Sequence, residues 1–289
     1  MLWLWVLLGV GTAIFVWAAL IERNLFTVKY DSVAILPKGS RPIRVLHISD
    51  IHLAPWQKRK QSWISKLAEL KIDLVIDTGD NLGHRDAIKP TLECLAPLIK
   101  IPGVFVNGSN DYYEPTVKNP FAYLSKPSSP GQQHRIDTET FTSGLEGGWL
   151  NLNNRSGELT VKGTRLGFIG LDDPHDQLAD YGSIKEPKNV DVLIGVAHAP
   201  YLKVIEELGA SDIIFAGHTH GGQVCLPGGR AIITNCDLPA KNARGLSGWE
   251  TEKGYVFLNV CAGLGTSIFA PVRLFCRPEV RVLTLLPKN

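Results

Sequence analysis

Three short apolar runs along this chain, residues 43–49, 74–78 and 213–216, each end on residues able to bind a metal ion. The first carries Ile43, Val45, Leu46 and Ile48 and runs into Asp50-Ile51-His52. The second, Leu74-Val75-Ile76, runs into Gly79-Asp80, and the third into Gly217-His218-Thr219-His220. Near-continuous apolar runs of this length predict strands buried on both faces. Between the first two, Trp63, Ile64, Leu67 and Leu70 recur at helical spacing and predict a helix over 57–70. A further helix over 91–100 leads to a third buried strand, Val104-Phe105-Val106. This β-α-β-α-β progression implies parallel pairing. The second half predicts strands over 159–161, 166–171, 192–197, 223–226, 255–260 and 280–285, with one helix over 200–208. The stretch 114–147, rich in Pro, Ser, Gly and Gln, predicts a long surface excursion of the kind that serves as a lid, with a short helix near 121–124. Together these elements predict a single α/β domain of two packed sheets with helices outside. Ligands in such folds sit beyond the carboxyl ends of the strands, where the polar motifs fall.

The N-terminus follows another pattern. Residues 1–21 hold no charged side chain. As a helix they would span roughly 31 Å, close to the hydrocarbon thickness of a bilayer. Trp3, Trp5 and Trp17 lie towards its two ends, as interfacial aromatics do. A cleaved signal would want a basic leading segment, and Met1-Leu2-Trp3 has none, so an uncleaved single-pass anchor is the better reading. Residues 22–42 read as a connector, and residues 43–289 as the folded domain. Arg23 and Lys29 follow the apolar run and nothing basic precedes it, which places the domain on the cytoplasmic side of the cell membrane.

Composition adds little beyond exclusions. Net charge is +2, with no polybasic run, so no nucleic-acid partner is expected. Five cysteines, none in a C-x-x-C pair, argue against a disulfide framework or a zinc knuckle.

The chemistry lies in the strand-end residues taken together. Asn110 follows Gly108-Ser109 after the third strand, and His198 follows the strand over 192–197. With Asp50, His52, Asp80, His218 and His220 they make two carboxylates, one amide and four imidazoles. A lone His at a strand end is more often structural, and an Asp after Gly is more often a turn. Their joint appearance after successive buried strands points instead to one site. Mixed O and N donors without thiolate suit two divalent transition-metal ions, Mn, Fe or Zn, rather than Ca or Mg. A carboxylate shared between two ions about 3.5–4 Å apart would let both activate one water.

The chain resembles the calcineurin-like metallophosphoesterases, and within them the membrane-anchored bacterial phosphodiesterases. The pattern D-x-H, G-D, G-N-H-[DE], a lone His and G-H-x-H is met by Asp50-Ile51-His52, Gly79-Asp80, a variant Gly108-Ser109-Asn110-Asp111, His198 and Gly217-His218-Thr219-His220. The resemblance implies a four-layer α/β/β/α sandwich. It implies one metal held by Asp50, His52, Asp80 and His220, and a second by Asp80, Asn110, His198 and His218, with Asp80 bridging. It also implies phosphodiester hydrolysis by a hydroxide between the metals. One block departs from the pattern. If Asn110 is the ligand, Asp111 stands where the family has the His that helps the leaving group depart, and becomes the expected general acid. Aligned without a gap, Ser109 falls where the ligand Asn belongs. The substrate expected is a phosphate ester, with a lipid-derived one favoured by the anchor. The competing reading is a non-catalytic metal-binding or scaffold protein that keeps the fold.

Overall fold

The computed structural model describes residues 1–116, 134–182 and 185–289. Its first half runs α1 (Leu2–Val16), β1 (Thr27–Leu36), β2 (Ile43–Ile48), α2 (Lys58–Ser65), β3 (Leu74–Asp77), α3 (Ile88–Ile99), β4 (Gly103–Phe105), α4 (Ser109–Tyr112), α5 (Thr138–Leu145) and β5 (Trp149–Asn151). The second half runs β6 (Arg155–Val161), β7 (Thr164–Gly170), β8 (Val192–Val196), α6 (Leu202–Glu207), β9 (Ile213–Ala216), β10 (Cys225–Leu226), β11 (Arg230–Ala231), β12 (Gly245–Thr251), β13 (Gly254–Val260) and β14 (Glu279–Pro287). The short helix expected near 121–124 lies outside the described residues.

Two six-stranded sheets form, in the orders β1-β14-β2-β3-β4-β5 and β12-β13-β9-β8-β7-β6. Alternation along the strands explains their stacking. Ile43 and Val45 of β2 and Leu74 and Ile76 of β3 face inward, against Phe168, Ile194, Val196, Ile213 and Phe215 of the other sheet. The intervening residues Leu46, Ile48 and Val75 face outward, where Ile64, Leu95, Leu98, Phe141 and Leu145 of α2, α3 and α5 cover them. On the far side Ile214 and Ala216 meet Val204 and Ile205 of α6. The layers are therefore α/β/β/α. β2, β3, β4 and β5 pair in parallel, as do β7, β8 and β9, so their carboxyl ends gather along one edge.

The reading of residues 22–42 as a connector is corrected. Thr27–Leu36 is a ten-residue strand, paired in parallel with β14 from Thr27↔Glu279 onward. The apolar helix runs on through irregular turns to Asn24, giving 23 residues, Leu2–Asn24, long and apolar enough to cross a membrane. Its first sixteen residues are exposed, while Ala18, Ala19 and Glu22 are buried against the domain. Glu22 Oε1 accepts from Cys276 N at 2.7 Å, and its Oε2 from Trp17 Nε1 at 2.8 Å. Arg273 N donates to Ala18 O at 3.1 Å. The helix end is thus part of the folded domain. A chain starting at residue 25 should be about 1–3 kcal/mol less stable than one starting at residue 17, because Cys276 N loses its buried acceptor. Urea unfolding of the two truncations measures this, and coincident midpoints would contradict the docking.

Candidate metal centre

The strand ends turn sharply to bring their side chains together. Asp50, His52, Asp80, His218 and His220 adopt φ of 47°, 40°, 56°, 66° and 49°. Left-handed backbone at a non-glycine residue is disfavoured and persists only where the surroundings enforce it. Here the loops brace one another: Asp50 N donates to Gly79 O at 2.8 Å, His52 N to Asp80 O at 2.9 Å and Gly217 N to His198 O at 2.8 Å. Two glycines make room. A Cβ at Gly108 would collide with Asp80 Oδ1 and the His198 ring, and one at Gly217 with Ser49 and the Asp50 carboxylate.

The side chains meet in two groups that share Asp50. Ligand atoms of Asp50, His52 and His220 lie within 4.8 Å of one another, as do those of Asp50, Asp80 and His198. Asp80 Oδ2 also reaches the first group: it is 3.4 Å from His52 Nε2 as well as 3.6 Å from His198 Nε2. His220 Nε2 is 3.6 Å from Asp50 Oδ1, and its ring stacks on His52 at 5.0 Å between centroids. His218 Nδ1 is 3.2 Å from His198 Nε2. Backbone groups face three of the rings: His198 Nδ1 lies 2.7 Å from Thr78 O, His220 Nδ1 lies 3.2 Å from Gly265 O, and His218 Nε2 lies 3.3 Å from both the carbonyl and the side-chain amide nitrogen of Asn235. A carbonyl only accepts, so Nδ1 of His198 and of His220 carries a proton and Nε2 is the nitrogen each ring turns towards the carboxylates.

The donor set fits metal ions. Both ring nitrogens of His52 are buried without a hydrogen-bond partner. Burial lowers His52 to about 4 and holds His218 and His220 well below the usual imidazole range, so all three are neutral, as metal ligands must be. Burial also opposes charge on Asp80, but His198, His52 and two N–H donors of Asn110 outweigh it and hold the carboxyl well below its usual value. At His198 burial is again overcome, this time by Asp80, Asp173 and Asp50, which raise it to about 9. Three carboxylates packed around one buried imidazole make a site that favours added positive charge.

A family model described as calcineurin-like phosphoesterase matches residues 43–222. The chain belongs to the calcineurin-like phosphoesterases. Among its relatives, an uncharacterized metallophosphoesterase of Aquifex aeolicus (strain VF5) is 28% identical over 264 residues, covering 88% of this chain and 88% of its own length. The metallophosphoesterase YkuE of Bacillus subtilis is 25% identical over 292 residues, covering 97% and 91%. Phosphodiesterase YaeI of Escherichia coli is 23% identical over 280 residues, covering 92% and 90%. Membership in this family implies a phosphoric ester hydrolase.

The departure from the calcineurin-like pattern resolves in the fold. Asp111 is fully buried, and both its oxygens are taken. Oδ2 accepts from Asp80 N at 2.8 Å and Gly108 N at 3.1 Å, and Oδ1 from Asn81 N at 2.8 Å and Leu82 N at 3.3 Å. Burial, with Asp80 nearby, pushes its pKa up to about 7, while its N–H donors favour the anion. A carboxylate tied in this way has no free oxygen with which to protonate a leaving group. The expectation that Asp111 is the general acid is therefore corrected: it cross-braces the turn after β3 and the start of α4. That role matches the [DE] position of the family pattern, so the glycines align without a gap. Ser109 then stands where the family has the ligand Asn, and Asn110 where it has the His. Asn110 N and Nδ2 each donate to an Asp80 oxygen at 2.8 Å.

Several residues outside the proposed ligand set join the calcineurin-like site. Asp173 is buried beside His198, and burial raises its pKa to about 7. The His175 ring lies 4.7 Å from that of His218, and its Nδ1 is 2.8 Å from Tyr201 Oη. Tyr112 Oη donates to Asp172 Oδ1 at 2.7 Å. The Asp172-Asp173-Pro174-His175 string was the available signal, since it follows β7 as the other motifs follow their strands. Arg273 is fully buried and donates to the carbonyls of Ala262 and Gly265 at 2.7 Å, so it braces the loop behind His220.

Proposed function

We propose that this chain is a membrane-anchored phosphodiesterase that works with two divalent transition-metal ions, Mn, Fe or Zn. The observation that carries this is the pair of adjoining ligand groups, Asp50-His52-His220 and Asp50-Asp80-His198, with Asp80 Oδ2 reaching the imidazoles of both. One ion would be held by Asp50, His52, Asp80 and His220, and the other by Asp80, His198 and His218. The second set would be completed by Ser109, at the family's ligand position, or by Asn110 with its amide turned to present Oδ1 in place of the N–H that donates to Asp80. When bound, the ions supply Lewis acidity towards a phosphoryl oxygen and lower the pKa of a water. The chain's own residues set the geometry: the carbonyls of Thr78 and Gly265 hold the His198 and His220 rings, and Asn110 orients Asp80. Tyr201 and His175, beside His218, are placed to hydrogen-bond a phosphoryl or leaving-group oxygen.

A diester is favoured over a monoester by charge. Lys60 and Arg273 both act on His52, yet Lys60 Nζ donates to Ile51 O at 2.8 Å and Arg273 donates to carbonyls. A monoanionic diester needs less compensation than a dianionic monoester. The relative named as a phosphodiesterase agrees with this reading. The apolar helix would hold the domain at the bilayer, single-pass, with Arg23 and Lys29 and the free cysteines favouring the cytoplasmic side.

The test is metal content of the detergent-solubilised full chain with rates on bis-p-nitrophenyl phosphate and p-nitrophenyl phosphate. Two transition-metal ions per chain and a kcat/KM at least roughly tenfold higher on the diester are expected. A metal-free, inactive chain would favour the scaffold reading, and a faster monoester rate would overturn the diester assignment.

A further inference from the structure

A cavity of about 280 Å³ lies among the loops that follow His220. Gly221, Gly228, Gly229, Arg230, Lys241 and Arg244 line it, and its remaining walls are alanines. Three cations and no carboxylate therefore face one space among the described residues. None of the three cations has a carboxylate partner among those residues. Arg244 is held in place by Gly229 O at 2.9 Å and Cys276 Sγ at 3.3 Å. Cationic side chains converging without a carboxylate form a site for an anion, and Arg and Lys suit phosphate in particular. The volume is that of about nine liquid waters, enough for a phosphate group and a few attached carbons.

Position says which molecule such an anion would belong to. Gly221, which lines the cavity, directly follows the proposed ligand His220. On the other side, Arg244 touches Cys276, and Cys276 N donates to Glu22 at the end of the apolar helix. Leu226, Ile232 and Phe275 are exposed around the hairpin of β10 and β11. The cavity lining is thus joined through Gly221 to the metal centre and through Arg244 and Cys276 to the end of the apolar helix, with exposed apolar side chains on the neighbouring hairpin.

We propose that this cavity binds a second phosphate group, part of the same substrate as the ester cleaved at the metal centre, and carried on an amphiphile. The inference rests on the phosphoester-hydrolase reading above for its cleaved bond, but not for the cavity's affinity. The shared chemistry is a phosphate anion, and its source is either a lipid headgroup or free phosphate.

The test is isothermal titration of the full chain in neutral detergent micelles with dihexanoyl phosphatidate and, separately, inorganic phosphate. It compares the parent with Arg230→Gln combined with Lys241→Gln. Both residues are exposed, and an unchanged thermal unfolding midpoint confirms that the variant folds. The expected result is a roughly tenfold weaker affinity for phosphatidate in the variant, recovered by Arg230→Lys combined with Lys241→Arg. Loss confined to phosphatidate assigns the cavity to a lipid headgroup, and equal loss for both probes assigns it to free phosphate and overturns the amphiphile. Equal affinities in parent and variant overturn the cavity assignment altogether. Because binding is read without turnover, a chain that binds the anion but hydrolyses no ester would sink the hydrolase reading and leave the cavity assigned.

Discussion

Asp80→Asn is expected to strip at least one metal from the centre and to lower diester hydrolysis on the order of 10³-fold or more, about 4 kcal/mol of barrier. The size follows from its reach into both ligand groups, 3.4 Å from His52 Nε2 and 3.6 Å from His198 Nε2. An amide is neutral, so the substitution also removes a buried negative charge that the imidazoles and both ions would share. It further sets one N–H against the two donors of Asn110. Metal analysis and a rate on bis-p-nitrophenyl phosphate, taken on one preparation, measure both effects. Two metals retained at a near-parental rate would show that Asp80 is not shared.

The second large effect concerns Asp111. Asp111→Ala leaves the backbone N–H groups of Asp80, Asn81, Leu82 and Gly108 without their buried acceptor. Even with water entering the space, a loss of roughly 3–5 kcal/mol of stability is expected, since the cost of an orphaned buried donor is about 1–3 kcal/mol. Because the turn carrying Asp80 loosens, activity should fall by a similar factor on substrates with good and poor leaving groups. A general acid would behave otherwise, sparing the p-nitrophenolate substrate and penalising alkyl leaving groups by roughly 10²–10⁴-fold. Chemical denaturation and the two rates together decide the matter. An unchanged unfolding midpoint with a leaving-group-dependent rate would restore the acid role.

These two carboxylates show what could be read from the chain and what could not. That Asp80 would meet other polar side chains was legible because its signal is local: a buried strand that ends on a glycine and a carboxylate. Asp50, His52, His218 and His220 likewise stand directly after buried strands, and the fold brings them together. Asp111 also sits after a strand and a glycine, but its role depends on N–H donors at 80–82, some thirty residues away, that no local pattern displays. The buried central strands were legible from continuous apolar runs. β1 was not, because Thr27-Val28-Lys29-Tyr30-Asp31-Ser32 is half exposed at a sheet edge and mixes polar with apolar positions. β12, at the edge of the other sheet, was missed for the same reason. α5 lies in the stretch expected to be irregular. It has only Phe141 and Leu145 to bury, four residues apart, and its start is fixed by the Asp137 side chain accepting from Thr140 N.

The position of β14 bears on how the protein is made. This last strand is inserted between β1 and β2, pairing Thr27 with Glu279 and Val45 with Leu283. A nascent chain therefore emerges with its helix, β1 and the loops of Asp50, His52 and Asp80 already synthesised, but with an empty slot in the sheet that carries them. Closure waits until residues 279–287 leave the ribosome, and contacts this distant in sequence form slowly. Until then two strand edges stand open beside a half-built centre. Losing residues 279–287 should trap the product in that state, to be cleared by proteases rather than accumulate as a weakened enzyme.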